Sequence, residues 1–431
     1  MLINFSVENW RCFKNQAILN MTADRKRQHR ERLPSVSHFS LRVLPISAIY
    51  GANASGKTKL IEALEFFRFL ILNGTGVNNE KIPVQRYKLD PDCLSKPVKF
   101  SIDVLVDEDI YSYKAQALPE KIVEESLVIE KKDKAYPVFQ RTTEKNIDFN
   151  RKFFTAERQA LMEIITKQAV RENQLFLKTA IQFGVTELLP LYDWFENKLV
   201  IITPHSAYTA LNKFADSNDE LNSQMLDLVR KFGTGIDHFI SRPIKDTTPQ
   251  ELPSIPRSIS ILIKDKNLTS VRFKDLYASN SGDEIIVKQL IAIHKNVKNE
   301  DIPFSLLEES DGTQRLLDLI PAFVDLYKKQ NFVYVIDELD RSLHTQLLEW
   351  LIEYYLNSCG PESRNQLIFT THDVNLLTQD LFRRDELWGV EKNRNGESVL
   401  YSFRDYKNIR HDKDIRKIYL NGLLGAVPNI N

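Results

Sequence analysis

Between the apolar run Val43-Leu44-Pro45-Ile46-Ser47-Ala48-Ile49-Tyr50 and a stretch carrying Leu60, Ile61, Leu64, Phe67 and Ile71 on one helical face lies Gly51-Ala52-Asn53-Ala54-Ser55-Gly56-Lys57-Thr58. The octapeptide fits G-x-x-x-x-G-K-[ST] at every fixed position, and its flanks read as a buried strand and an amphipathic helix. A strand, a glycine loop and a helix start in that order leave few folds open. The strand belongs inside a sheet covered by helices, so the chain is expected to be α/β. The loop's chemistry follows from the same order. Glycines let the backbone wrap closely, and successive N–H groups at a helix N-terminus face an anion. Lys57 is placed to reach the β- and γ-phosphates of a nucleotide, and the Thr58 hydroxyl to sit on Mg²⁺. Gly51, Asn53, Ser55, Gly56, Lys57 and Thr58 are therefore candidate nucleotide-binding residues. The competing reading, a surface glycine turn, leaves the strand and helix flanks unexplained.

Two more apolar runs end in reactive side chains. Phe332-Val333-Tyr334-Val335-Ile336 leads into Asp337-Glu338, and a buried parallel strand reads as such a run. Ligands of open α/β sheets bind at the C-terminal ends of strands. Asp337 is thus expected to hold Mg²⁺ through water, and Glu338 to polarise an attacking water as general base. A solvated acidic turn would explain such a strand alone, but not beside a phosphate loop. Gln366-Leu367-Ile368-Phe369-Thr370-Thr371-His372 is a third strand of this kind, and His372 is expected to contact the γ-phosphate and orient water. Lys57, Glu338 and His372 form the candidate catalytic set.

The rest of the chain sets the context. Its 431 residues suggest two or three structural units. The 58 basic and 58 acidic residues cancel, which removes any general argument for nucleic-acid binding and leaves only local patches. One is Arg25-Lys26-Arg27-Gln28-His29-Arg30-Glu31-Arg32, read either as a solvated loop or as an anion contact. Cys12, Cys93 and Cys359 are odd in number and far apart, without zinc spacing. The N-terminus lacks the basic start and long apolar core of a leader, and no apolar run approaches the ~20 residues that cross a bilayer. A reducing, cytoplasmic setting with no membrane partner is expected.

Leu2–Val7 and Ala17–Met21 alternate like strands. From Val98 to Val138 the period is two, an antiparallel meander. From Phe153 to Trp194 the pattern turns helical, with Ala156–Ala169 and Asn173–Phe183 as segments. Leu199–Ile202 reads as a strand and Glu220–Phe232 as an amphipathic helix. The prolines 243, 249, 253 and 256 mark a loop, and Ser260–Ile263 with Ser270–Phe273 reads as a hairpin.

Glu309-Ser310-Asp311-Gly312-Thr313-Gln314 opens a helical pattern about twenty residues before the acidic strand. It resembles the Leu-Ser-Gly-Gly-Gln signature of ABC-type ATPases: Ser310, Gly312 and Gln314 match, whereas Asp311 and Thr313 depart. The order of phosphate loop, signature, Asp-Glu strand and histidine strand strengthens the likeness. Leu339-Asp340-Arg341-Ser342-Leu343-His344 resembles the D-loop of that family, and Gln85 is the best-placed counterpart of its metal-contacting Q-loop glutamine. The resemblance implies ATP and Mg²⁺ as cofactors, and a homodimer in which Ser310, Gly312 and Asp340 of one copy close over the nucleotide of the other.

About 260 residues separate phosphate loop and signature, which resembles the SMC and RecF-like branch without its long coiled coil. End to end, the chain resembles bacterial AAA-family ATPases of ABC type, a class that includes OLD-like proteins and the ATPase subunits of anti-phage systems such as PARIS and Septu. Phe369-Thr370-Thr371-His372-Asp373, Asp385-Glu386-Leu387-Trp388 and Tyr419–Pro428 carry that likeness too. It implies an ABC-type P-loop NTPase fold: a mixed parallel core sheet, an antiparallel β-lobe and a short helical insertion between phosphate loop and signature. The expected divisions are an N-terminal ATPase lobe at 1–150, a helical arm or lid at 151–300 and a C-terminal ATPase lobe at 301–431. About sixty residues follow His372, too few for the Toprim nuclease of OLD proteins, and Glu391 reads as part of a hairpin turning at Asn393–Gly396. The function expected is a sensor or switch ATPase in a defence complex, with a separate effector protein such as a nuclease as partner. The alternative is a DNA-repair ATPase with nucleic acid as partner.

Overall fold

The computed structural model describes residues 1–78, 80–143, 146–204, 220–243, 270–273, 276–281, 284–328, 331–406 and 414–425. They form two compact units. One comprises Met1–Ile201, Lys329–Leu339 and Leu356–Asn431; the other comprises Ile202–Lys328 and Asp340–Tyr355.

The first unit carries two large sheets and a two-stranded one, Ser35–Val36 with Leu41–Arg42. In the six-stranded sheet the order is Leu199–Ile202, Val333–Ile336, Gln366–Thr370, Ile46–Tyr50, Leu387–Lys392 and Ser398–Ser402. The acidic, histidine, phosphate-loop and Leu387 strands run parallel, with Ile336 opposite Phe369, Thr370 opposite Ile49 and Gly389 opposite Tyr50. The first three are buried along their whole length, which is why the sequence shows unbroken apolar runs there. Leu387–Lys392 and Ser398–Ser402 form an antiparallel hairpin about residues 393–397, so Glu391 sits in the expected hairpin.

The seven-stranded sheet is antiparallel, in the order Asn146–Phe149, Lys134–Thr143, Ile122–Lys131, Asp109–Ala117, Val98–Val106, Leu2–Glu8 and Ala17–Asn20. This is the meander that period-two patterning marks. The phosphate-loop helix Lys57–Leu72 packs on it: Phe67 stacks on Phe100 at 5.0 Å and on Tyr113 at 5.6 Å. Trp10 packs on Phe66 at 4.9 Å, and its indole N–H donates to the Lys59 carbonyl at 3.0 Å. Such aromatic pairs add to the burial term and fix the helix axis.

The sequence expectation places 151–201 in an arm, but these residues belong to the first unit. They include the short helices Ala156–Ile164 and Phe176–Gln182, and buried Glu125 ties the second of these to the meander. Glu125 accepts from the Phe176 and Leu177 backbone N–H at 2.6 and 2.9 Å and from the Tyr113 hydroxyl at 2.8 Å, with Arg141 at 3.9 Å. Burial raises its carboxyl above the ordinary range despite Arg141.

In the second unit, the sheet order is Ile236–Pro243, Glu284–Lys295, Leu276–Ser281 and Ser270–Phe273, with Asp301–Ser305 also pairing Glu284–Lys295. The expected Ser260–Ile263 strand lies outside the described residues, as do 244–256 of the proline-marked loop and 426–428 of the C-terminal motif. Ser270–Phe273 pairs with Leu276–Ser281. Among the described residues, 202–300 is thus a sheet with one helix, Glu220–Lys231, rather than a mainly helical insertion. Glu284–Lys295 explains the difference. Its apolar residues satisfy helical and extended spacing about equally, and only cross-strand partners decide.

Candidate nucleotide site

Parallel register brings the C-terminal ends of three strands to one edge. Gly51 follows the phosphate-loop strand at a crowded point, where a Cβ would lie 2.5 Å from the Val390 carbonyl and 2.6 Å from Ser55 Oγ. Gly56 has φ +120°, and a Cβ there would meet Ser398 Oγ at 2.7 Å and Cys12 Sγ at 2.9 Å. Ser398, on the hairpin that flanks the sheet, donates its hydroxyl to the Ser55 carbonyl at 2.5 Å and its N–H to the Cys12 carbonyl at 2.8 Å. The loop is therefore supported by Cys12, which precedes it in the chain, and by Ser398, 343 positions after Ser55. Burial pushes the Cys12 thiol up, which keeps it protonated and unreactive.

Lys57 is buried. Its Nζ donates to the Gly51 and Ala52 carbonyls at 2.7 and 3.2 Å and lies 3.4 Å from His372 Nδ1. His372 is itself exposed, one residue beyond Thr371, whose N–H donates to the Ile49 carbonyl at 3.1 Å. The two expected catalytic carboxylates are organised by a residue that pattern reading passes over. Thr370 is fully buried, and its hydroxyl donates to Asp337 Oδ1 at 2.5 Å while accepting the Glu338 N–H at 2.8 Å. Its carbonyl accepts the Leu339 N–H at 3.0 Å. The chain turns sharply there, with Glu338 at φ +49°, a left-handed conformation uncommon for a non-glycine residue. Such strain persists only where neighbours fix it, and the Thr370 hydrogen bonds do so.

Lys57, Glu338 and His372 line a cavity of about 790 Å³ together with Asn53, Thr58 and Gln85, while buried Asp337 and Thr370 lie outside its lining. Gln85 is brought to the wall because its carbonyl accepts the Arg11 N–H at 2.7 Å. Arg11 lines the cavity too, with its Nε 2.9 Å from Glu62. The sequence gives no local signal for Cys12, Ser398 or Arg11, which reach the site by tertiary approach.

The signature-like residues lie in the second unit. Ser310 caps the helix Asp311–Tyr327, its hydroxyl accepting the Thr313 N–H at 3.1 Å. A Cβ on Gly312 would stand 2.9 Å from the Ser342 carbonyl, so the small residue lets the helix start approach the loop that contains Asp340. Gln314 donates to the Glu309 carbonyl at 2.9 Å, and Glu309 Oε1 lies 2.6 Å from His294 Nε2. The matched Ser, Gly and Gln thus have distinct local tasks.

The donor set at the loop suits a nucleoside triphosphate. It offers backbone N–H groups, a buried ammonium at Lys57 and a buried Ser55 hydroxyl that has no hydrogen-bond partner among the described residues. Thr58 and Gln85 on the cavity wall offer the oxygen ligands that Mg²⁺ prefers, and Asp337, 1% exposed and held by Thr370, offers a carboxylate outside that lining.

No curated protein is similar to the chain at a significant level. Solved structures with a similar outline include the SMC head domain from Thermotoga maritima, at 11% identity and TM-score 0.39, covering 93% of this chain and 98% of that one. The Smc head bound to the C-winged helix domain of ScpA follows at 13% and 0.41, covering 93% and 97%. The Smc head with an extended coiled coil, bound to the C-terminal domain of ScpA derived from Pyrococcus furiosus, stands at 12% and 0.41, covering 93% and 96%. Likeness at this level bears on neither activity nor partners. Residues 46–378, which include the phosphate loop, the signature-like turn, the acidic strand and His372, match a family model, and the chain belongs to that family: AAA domain, putative AbiEii toxin, Type IV TA system.

Proposed function

We propose that the chain is an ABC-type ATPase whose two copies clasp ATP between them, and that closure and release of the clasp control a separate effector in a bacterial defence assembly. The observation that carries the hydrolytic part is the Thr370 hydroxyl, which holds Asp337 and positions the Glu338 backbone beside the phosphate loop. In this reading Lys57, Ser55 and the loop N–H groups grip the phosphates. Glu338 accepts a proton from the attacking water, and His372 orients that water at the γ-phosphate. Mg²⁺ held by Thr58 and Asp337, with Gln85, would neutralise phosphate charge. Ser310, Gly312 and Asp340 come from the second copy. The helix capped by Ser310 offers its N-terminus to the same γ-phosphate, so the clasp is complete only with nucleotide present.

The defence setting is supported by the family's description, which names a toxin and a toxin–antitoxin system. The effector role is assigned to a partner because the chemistry of this chain centres on nucleotide. The test is to purify Glu338→Gln protein, with its neighbouring gene products co-expressed, in ATP and in its absence. A partner retained only with ATP supports the proposal. Retention that ignores nucleotide, or no retained partner, sinks the effector role.

A further inference from the structure

The basic run Arg25–Arg32 takes no part in the nucleotide site, and its structure differs from that of a solvated loop. Lys26 is paired, and Gln28 and Arg32 are anchored. Lys26 pairs with Asp24 at 3.5 Å, Gln28 Nε2 donates to the Gln379 carbonyl at 2.7 Å, and Arg32 pairs with buried Glu386 at 2.5 Å. Arg25, Arg27 and Arg30 are exposed, and among the described residues none has a carboxylate within ion-pair distance.

The backbone between them is fixed from below. Arg383 is 2% exposed, and its guanidinium donates to the carbonyls of Lys26 and Gln28. It is held in turn by Asp24 at 2.8 Å and Asp385 at 2.7 Å. Asp385 also accepts the Asp24 N–H at 2.7 Å, and His29 Nε2 lies 3.0 Å from the Gln379 carbonyl. His29 adopts φ +48°, a turn that these contacts hold.

A charged loop that only needed solvation would require none of this. Burying a guanidinium is costly unless its donors are used, and here they fix the path of an exposed loop. Three arginines are thereby presented without the loop-ordering cost that a flexible segment meets on binding. Arginine forks suit phosphate oxygens, and three such charges along six residues of an exposed loop suit a repeating polyanion better than a single small anion. We propose that Arg25, Arg27 and Arg30 form a preset contact for the phosphodiester backbone of a nucleic acid.

The chain's zero net charge makes the proposal sharply testable, because no general basic field is present to bind polyanions elsewhere. The full-length protein is titrated by fluorescence anisotropy against short single-stranded DNA, the matching duplex and RNA across a range of salt. The variants are the triple substitutions Arg25→Ala, Arg27→Ala, Arg30→Ala and Arg25→Lys, Arg27→Lys, Arg30→Lys. At least one of the three wild-type titrations should show salt-dependent binding. The alanine variant should lower the slope of log affinity against log salt by about 2–3 and weaken binding about tenfold or more at low salt. The lysine variant should keep the slope. ATP affinity and melting midpoint should be unchanged in both, since these residues touch neither the loop nor the core. The proposal is overturned if no probe binds the wild type at low salt, or if the alanine variant binds with wild-type slope and affinity. It is equally overturned if poly-glutamate competes as strongly as nucleic acid at equal charge, which would point to an acidic protein.

Discussion

Replacing Thr370 by valine keeps the shape of a fully buried side chain and deletes one hydroxyl. That hydroxyl makes two hydrogen bonds, 2.5 Å to Asp337 Oδ1 and 2.8 Å from the Glu338 N–H. A hydrogen bond to a charged group contributes about 1.5–3 kcal/mol, and a buried donor left unpaired costs about 1–3 kcal/mol. The two losses share one atom and do not add fully, so a destabilisation of about 3 kcal/mol is expected, or a drop of about 5 °C in the first unit's melting midpoint. Hydrolysis should suffer more than binding. Lys57 and the loop backbone are untouched, whereas Asp337 loses its fixed orientation and Glu338 the bond that stabilises its left-handed turn. Nucleotide affinity without Mg²⁺ should stay within about twofold, and turnover should fall by about one to two orders of magnitude, a barrier change of about 1.4–2.8 kcal/mol. Thr370→Ser, which keeps the hydroxyl, should recover most of the turnover. Isothermal titration and a phosphate-release assay measure the two effects separately. If valine melts and turns over like the wild type, the threonine is packing only and the central geometry is misread.

Gly56→Ala should abolish nucleotide binding while leaving the fold intact. Its Cβ would collide with Ser398 Oγ and Cys12 Sγ at φ +120°, so the loop must shift; titration with ATP reads this directly. Burial raises the Glu386 carboxyl from 4.5 to about 7, against the opposing pull of Arg32. The folded protein then holds this proton more tightly than the unfolded chain. The group's contribution to stability is fully present below about 4.5 and is lost as pH rises to about 7, on the order of 3 kcal/mol in all. Denaturant midpoints measured across that window should fall with pH in the wild type and flatten in Glu386→Gln.

The parts legible in the sequence were those whose chemistry follows an unbroken local pattern. The phosphate loop, the Asp337-Glu338 turn and His372 each end a buried parallel strand, and burial on both faces forces an apolar run that can be seen without a structure. The meander was legible for the converse reason, since one buried face gives strict alternation. Thr370 was hidden because a threonine fits a buried strand, and its task depends on register with the acidic strand. Ser398 and Cys12 were hidden because they meet Gly56 only once the chain has folded, Ser398 from some 340 residues away. The basic run was visible as charge, but which arginines were anchored depended on Arg383 and Glu386. The helical spacing of residues 151–201 suggests an arm, but Glu125 and Arg141 tie the segment into the first unit through tertiary bonds that spacing does not show.

In the proposed clasp, the phosphate loop is half of a site completed by a second copy. Glu338→Gln protein, which should bind ATP without hydrolysing it, can be sedimented at fixed concentration with no nucleotide, with ADP and Mg²⁺, and with ATP and Mg²⁺. The predicted result is a shift to the mass of two chains with ATP and Mg²⁺ only, lost again in the double substitution Glu338→Gln, Ser310→Arg. A mass that stays the same in all three conditions while ATP is bound would contradict the claim.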